Sequence, residues 1–167
     1  IEKDAKQVAI HYQSAPNAKA LQWLNPKQTA GKTHPFLFTQ SQAILARTWI
    51  PCQDSPGVRF SYTAKVQVPK DLMAVMSAEN PTEKNSEGIY TFRMEQAIPA
   101  YLMALGVGNL EFQNLGEHTG IYAEPEMIEK AAYEFAETEA MLKIAEDMYG
   151  KYAWERYDML LLPPSFP

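Results

Sequence analysis

Val58-Arg59-Phe60-Ser61-Tyr62-Thr63-Ala64-Lys65-Val66-Gln67-Val68 is the stretch that sets the fold class. Val58, Phe60, Tyr62, Ala64, Val66 and Val68 fall on one side of an unbroken period of two. Arg59, Ser61, Thr63, Lys65 and Gln67 fall on the other. Side chains in a strand point alternately to opposite faces, so this pattern predicts a half-solvated β-strand. Pro69 closes it.

After that strand, Leu72–Ser77, Ile89–Met94 and Tyr101–Val107 read as further strands, with Glu79–Gly88 as a polar loop between the first two. On the N-terminal side, Phe36–Gln40 reads as a short strand and Gln42–Trp49 as a short helix ended by Pro51. Asp54-Ser55-Pro56-Gly57 has the chemistry of a turn. Asn25–Lys32 is turn-rich, Ser14–Leu24 reads as a loop with an apolar anchor, and Gln7–Gln13 alternates as a strand. Up to about residue 112 the chain is therefore expected to be β-rich, with short and mostly antiparallel strands.

Beyond that point the pattern changes. Thr119–Ala123 reads as a strand, and one long helix is expected from Glu126 to Tyr149. Ile128, Ala131, Ala132, Phe135, Leu142, Ala145 and Tyr149 recur there at spacings of three and four. Pro125 and Glu126 suit the first turn, and Gly150 suits the position past the end. The acidic residues of the segment, among them Glu139 and Glu146, read as a solvated face. Residues 158–162 follow as a strand apolar on consecutive positions, the mark of burial on both faces. The class is α+β, with a boundary expected near residue 113: 1–112 as one unit and 113–167 as the start of another.

Composition narrows the function. The net charge is −5, from 15 basic and 20 acidic side chains. No basic stripe is present, so nucleic acid is not an expected partner. The apolar runs Leu102–Val107 and Met159–Leu162 are too short to cross a bilayer, so no membrane span is expected. Cys52 is the one cysteine. It cannot form an internal disulfide, which fits a reducing compartment. The chain opens on Ile1, so its natural N-terminus is expected upstream.

Motifs for chemistry are few. His11, His34 and His118 are far apart, and neither His-Glu-x-x-His nor Cys-x-x-Cys occurs, so no metal ligand is assigned. There is no Gly-x-Ser-x-Gly elbow. Cys52, between Pro51 and Gln53, reads as a packed thiol, and no residue is assigned as catalytic. Gly106-x-Gly108 precedes no helix of dinucleotide type. What remains is Thr39-Gln40-Ser41-Gln42-Ala43. Two glutamines with small residues between them can present amide oxygens to a ligand, and such an oxygen can accept a hydrogen bond from an ammonium. Plain polar loop residues would read the same way.

The block His34-Pro35-Phe36-Leu37-Phe38-Thr39-Gln40-Ser41-Gln42-Ala43, with Pro51-Cys52-Gln53-Asp54-Ser55-Pro56, resembles the zinc aminopeptidases of the aminopeptidase N superfamily. Gln42 stands where most of that family has glutamate, as in the branch holding leukotriene A-4 hydrolase and aminopeptidase B. Tyr133–Asp147 and Tyr157–Pro167 are similar to the same branch. The resemblance implies an N-terminal β saddle, here its later part over residues 1–112, leading at 113–167 into a thermolysin-like catalytic domain. It also implies that Gln40, Ser41, Gln42 and Ala43 are substrate-binding residues at the peptide's free N-terminus. In the family the exopeptidase motif, the zinc ligands, the general base and the catalytic tyrosine follow the position of Pro167. The implied cofactor is zinc in the whole enzyme and none in this chain, which alone is expected to be inactive. The resemblance points to the cytoplasm. Self-association through the apolar face left at Pro167 is expected. A stand-alone, non-catalytic β-rich peptide-binding module is the alternative, and a chain completed by another polypeptide is a third.

Overall fold

The computed structural model describes residues 5–166. Nine strands form among them: β1 (Leu21–Leu24), β2 (Phe36–Thr39), β3 (Arg59–Gln67), β4 (Met73–Met76), β5 (Ile89–Pro99), β6 (Leu105–Gly108), β7 (Glu111–Asn114), β8 (Thr119–Ala123) and β9 (Tyr157–Leu160). Two helices, α1 (Ile128–Glu134) and α2 (Thr138–Tyr149), lie between β8 and β9. The class is α+β.

The deciding stretch pairs as its alternation requires. β3 runs antiparallel to β5, with Tyr62 opposite Met94 and Val66 opposite Tyr90, and an irregularity falls between Phe60 and Tyr62. Its burial alternates residue by residue, so one face is wet. A second, antiparallel sheet has the order β1-β2-β6-β4. The third sheet is β7-β8-β9, in which β7 pairs antiparallel and β9 parallel to β8. A parallel pair needs a long crossover, and α1 and α2 supply it.

β8 is buried along its whole length. Tyr122 points into the larger core, among Phe36, Phe38, Met73, Val75, Tyr90, Phe92 and Leu110. Ile121 and Ala123 point to the other side, against Ile128, Ala131 and Ala132 of α1. β9 follows the same division, with Leu160 on the first core and Met159 on the second. Burial pushes the Tyr122 hydroxyl well above the ordinary tyrosine range, Asp158 adding to the effect and Arg156 opposing it. That hydroxyl donates to the Pro81 carbonyl at 3.1 Å.

Gly106 and Gly108 are packing residues. A Cβ on Gly106 would lie 2.6 Å from Leu160 Cδ2, and one on Gly108 would lie 2.5 Å from the Phe36 ring. Their lack of a side chain lets β6 sit close under both neighbours.

Several expectations from sequence need correction. Gln7–Gln13 forms no strand: Val8, Ile10 and Tyr12 are exposed, since alternation yields a strand only where an edge is offered. Leu21–Leu24, expected as loop, is strand β1, because β2 offers its edge there. Gln42–Trp49 is mostly turn, with a single 3-10 turn at Ala46–Thr48. Tyr101–Val107 is half strand: Ala100–Leu102 is a 3-10 turn after Pro99, and β6 starts at Leu105.

The long helix Glu126–Tyr149 is two helices. Thr138 Oγ1 bonds the Phe135 carbonyl at 2.7 Å, and hydroxyls of this kind compete with the helical ladder. α2 buries no residue, and Met141, Ile144 and Met148 are exposed. Polar contacts hold it instead. Glu139 accepts bonds from the His118 amide at 3.1 Å and the Thr119 hydroxyl at 2.8 Å. Glu146 accepts one from the Tyr152 amide at 2.9 Å. These two acids of the expected solvated face are therefore latches. At Gly150, where φ is +94°, the chain turns away as expected.

Gly108→Ala is expected to destabilise the fold by about 1–3 kcal/mol, because buried Phe36 has nowhere to move. Gly57→Ala, with nothing within 4 Å of the added carbon, serves as the control in urea unfolding.

The Thr119 hydroxyl, then the His118 amide and ring, hold the Glu139 carboxyl below its ordinary pKa of 4.5, against the opposing effect of burial. A lowered folded pKa contributes stability above the unfolded value and loses it as pH falls through the folded one. The gap in melting temperature between the parent and Glu139→Gln should therefore be wide at about pH 5 and narrow towards about pH 3.5. A gap constant over that range would count against the latch.

Candidate functional site

The segment Gln40-Ser41-Gln42-Ala43 leaves the end of β2, and that end is pinned on both sides. Thr39 Oγ1 accepts a bond from the Leu105 amide at 2.9 Å, and the Gln40 amide donates to the Ala20 carbonyl at 2.9 Å. Behind it, Phe36, Leu37 and Phe38 are buried in the larger core. The segment is thus carried by a packed strand, which fixes side chains better than a free loop does.

The four residues divide into an anchor and a presented surface. Ser41 is only 3% exposed. Its hydroxyl accepts from Trp49 Nε1 at 3.1 Å and donates to the Met103 carbonyl at 3.5 Å. Gln40, Gln42 and Ala43 are exposed. Gln40 Oε1 accepts from the Gln42 amide at 3.1 Å, which ties the first glutamine to the backbone of the second. The Gln42–Ala43 peptide is cis. The structure therefore leaves Gln40, Gln42 and Ala43 exposed and turns the Ser41 side chain inward.

The following loop is closed by groups whose roles the sequence did not disclose. Asp54, 9% exposed, accepts from the Arg47 amide at 3.0 Å and from Arg47 Nε at 3.2 Å. Arg47 Nη2 also reaches the Asp54 carbonyl at 2.9 Å. Thr48 Oγ1 accepts from the Ala20 amide at 3.1 Å and donates to the Leu45 carbonyl at 2.7 Å. Arg47 and Asp54 sit seven positions apart with Pro51 between them, so only the loop's closure makes them partners. Cys52 lies on this loop. Burial raises its thiol pKa, Asp54 raising it further and Arg47 opposing, so the thiol stays protonated near neutral pH.

Among the described residues, no group of three or more His, Cys, Asp or Glu side chains could hold a metal ion. This donor set does not fit the zinc that the family resemblance implies for a whole enzyme. No described helix is long and apolar enough to cross a membrane.

The chain belongs to the Peptidase M1 N-terminal domain family, which matches residues 2–102. Over 165 residues it is 52% identical to leukotriene A-4 hydrolase of Xenopus laevis, covering 96% of this chain and 27% of that protein. It is 44% identical over 146 residues to aminopeptidase B of Mus musculus, covering 87% of this chain and 22% of that one. The solved structure of native leukotriene A4 hydrolase from Saccharomyces cerevisiae matches with a TM-score of 0.84 at 35% identity, over 92% of this chain and 24% of that one. An M1 zinc metallopeptidase from Deinococcus radiodurans matches with a TM-score of 0.64 at 27% identity, over 77% and 32%. The chain spans about a quarter of the length of the curated relatives it matches.

Ser41→Ala is expected to cost about 1–2 kcal/mol, because it leaves the Trp49 ring N–H without its acceptor. Adding Trp49→Phe removes the stranded donor, so the double variant should lose less than the sum of the singles in denaturant unfolding.

Proposed function

We propose that this chain is the part of a zinc aminopeptidase that receives the free N-terminus of a peptide substrate. Gln42 is the residue that meets the substrate ammonium. Its exposed amide oxygen accepts a hydrogen bond as a dipole, where a glutamate would form an ion pair and bind more strongly. Gln40 holds the Gln42 backbone, Ala43 leaves room beside it, and buried Ser41 anchors the segment. The observation that carries this reading is the exposure of Gln40, Gln42 and Ala43 directly after a buried strand. It is supported by the 52% identity to leukotriene A-4 hydrolase of Xenopus laevis and the 44% identity to aminopeptidase B of Mus musculus.

On this reading residues 1–112 are the later part of the saddle and 113–167 open the catalytic domain. Zinc and the general base belong to the whole enzyme, and the 167 residues alone are inactive. The compartment is the cytoplasm. The exposed apolar residues of α2 and Phe166 make the isolated chain self-associate.

In the whole enzyme, Gln42→Ala should raise KM for an aminoacyl anilide about tenfold, and Gln42→Glu should lower it, with smaller changes in kcat. An unchanged KM in Gln42→Ala would remove Gln42 from the site. Turnover by the 167-residue chain with added zinc would overturn its proposed inactivity.

A further inference from the structure

Glu124 directly follows the last residue of β8 and is 5% exposed. Among the described residues its carboxylate forms no ion pair. Oε2 accepts from the Ala30 amide at 2.8 Å, and Oε1 accepts from the Gly31 amide at 3.3 Å. A buried carboxylate aimed at two consecutive backbone amides is a directional contact, because displacement of the loop breaks both bonds together.

The loop it grips is rigid by its own bonding. Asn25 and Gln28 form a reciprocal cap around the 3-10 turn Pro26–Gln28. Thr29, 1% exposed, donates its hydroxyl to the Pro26 carbonyl at 2.9 Å and to the His34 carbonyl at 3.1 Å. Five residues after Gly31 the chain enters β2, and the segment that leaves its end carries Gln40 and Gln42. A second contact comes from the far end of the described chain: Ser165 Oγ donates to the Gln28 carbonyl at 2.7 Å. One residue on, the Phe166 ring packs edge-on to Phe38 of β2, with centroids 5.4 Å apart. Loop and strand are therefore gripped from β8 by Glu124 and from the segment after β9 by Ser165 and Phe166.

We propose that Glu124 is a positioning residue for the peptide N-terminus: it sets where β2 carries Gln42 relative to the segment that follows β9. It touches no substrate and acts through the Ala30–Gly31 loop. The part that concerns substrate rests on the reading of Gln42 given above, whereas the mechanical part does not.

Glu124→Gln tests it in the whole enzyme, since it keeps the shape but turns an N–H donor towards an amide. Glu126→Gln is the control: Glu126 is exposed and its carboxylate lies beside Gly31, but among the described residues it makes no hydrogen bond to that loop. Hydrogen exchange is followed in peptides covering 26–34 and 36–46. In Glu124→Gln, exchange should quicken about tenfold in the first peptide and also rise in the second, while Glu126→Gln changes neither. KM for an aminoacyl anilide should rise about tenfold with kcat within about threefold, and Gln42→Ala should add less to KM in this background than in the parent.

Faster exchange confined to 26–34, or a lower melting temperature with KM unchanged, would overturn the inference. If Gln42→Ala leaves KM unchanged in the parent, the reading of Gln42 fails, and spread of exchange into 36–46 still decides the mechanical part. Should Glu124→Gln not fold, Ser165→Ala loosens the same loop from its exposed side. Its exchange must then spread into 36–46 in the same way, and confinement to 26–34 would overturn the inference.

Discussion

The burial of β8 on both faces is the constraint from which the rest of the structure follows. Thr119–Ala123 has no exposed side chain, so each face needs a packed layer. Tyr122 meets the core of the first sheet, and Ile121 meets α1. A strand buried in this way also needs both edges paired, and β7 and β9 supply them. The parallel partner is reached only through the two-helix crossover. The order of the last fifty residues is thus a consequence of one central strand.

Carboxylates at the margins of this layer tie down what apolar contact does not. Glu124 grips the 30–31 loop, Glu139 the turn before β8 through the His118 amide, and Asp54 the loop after the candidate site. Each accepts a backbone N–H, so each satisfies a group that would be costly to leave unpaired away from water. Among the described residues no buried side-chain nitrogen or oxygen lacks a partner. α2, with no buried residue, shows how far such contacts can go: its direction is set by Glu139 and Glu146 and not by an apolar stripe.

Local pattern was a good guide where a strand's own alternation or unbroken apolar run marks which of its faces are buried. Arg59–Gln67, Met73–Met76 and Thr119–Ala123 lie inside the stretches whose periodicity predicts them. It misled where an edge was needed from elsewhere. Gln7–Gln13 alternates as β3 does but pairs with no strand among the described residues, and Leu21–Leu24 looks like loop but meets β2. Periodicity also carried the helix through Phe135–Glu137, because no Gly or Pro marks the break there. The competing Thr138 hydroxyl is a single atom that a spacing rule does not register.

Legible from residue order alone were the α+β class, the main strands, and the membership that the blocks around Gln40–Ala43 and Pro51–Pro56 announce. These are properties of composition and short-range order. Only the tertiary structure decided that Ser41 turns inward while Gln40, Gln42 and Ala43 face out, that Arg47 closes on Asp54, and that Glu124 reaches Ala30 and Gly31 across more than ninety residues. Such pairings depend on which sheets stack. Stacking is fixed by packing between distant segments, such as Gly106 of the second sheet under Leu160 of the third, which no local pattern encodes.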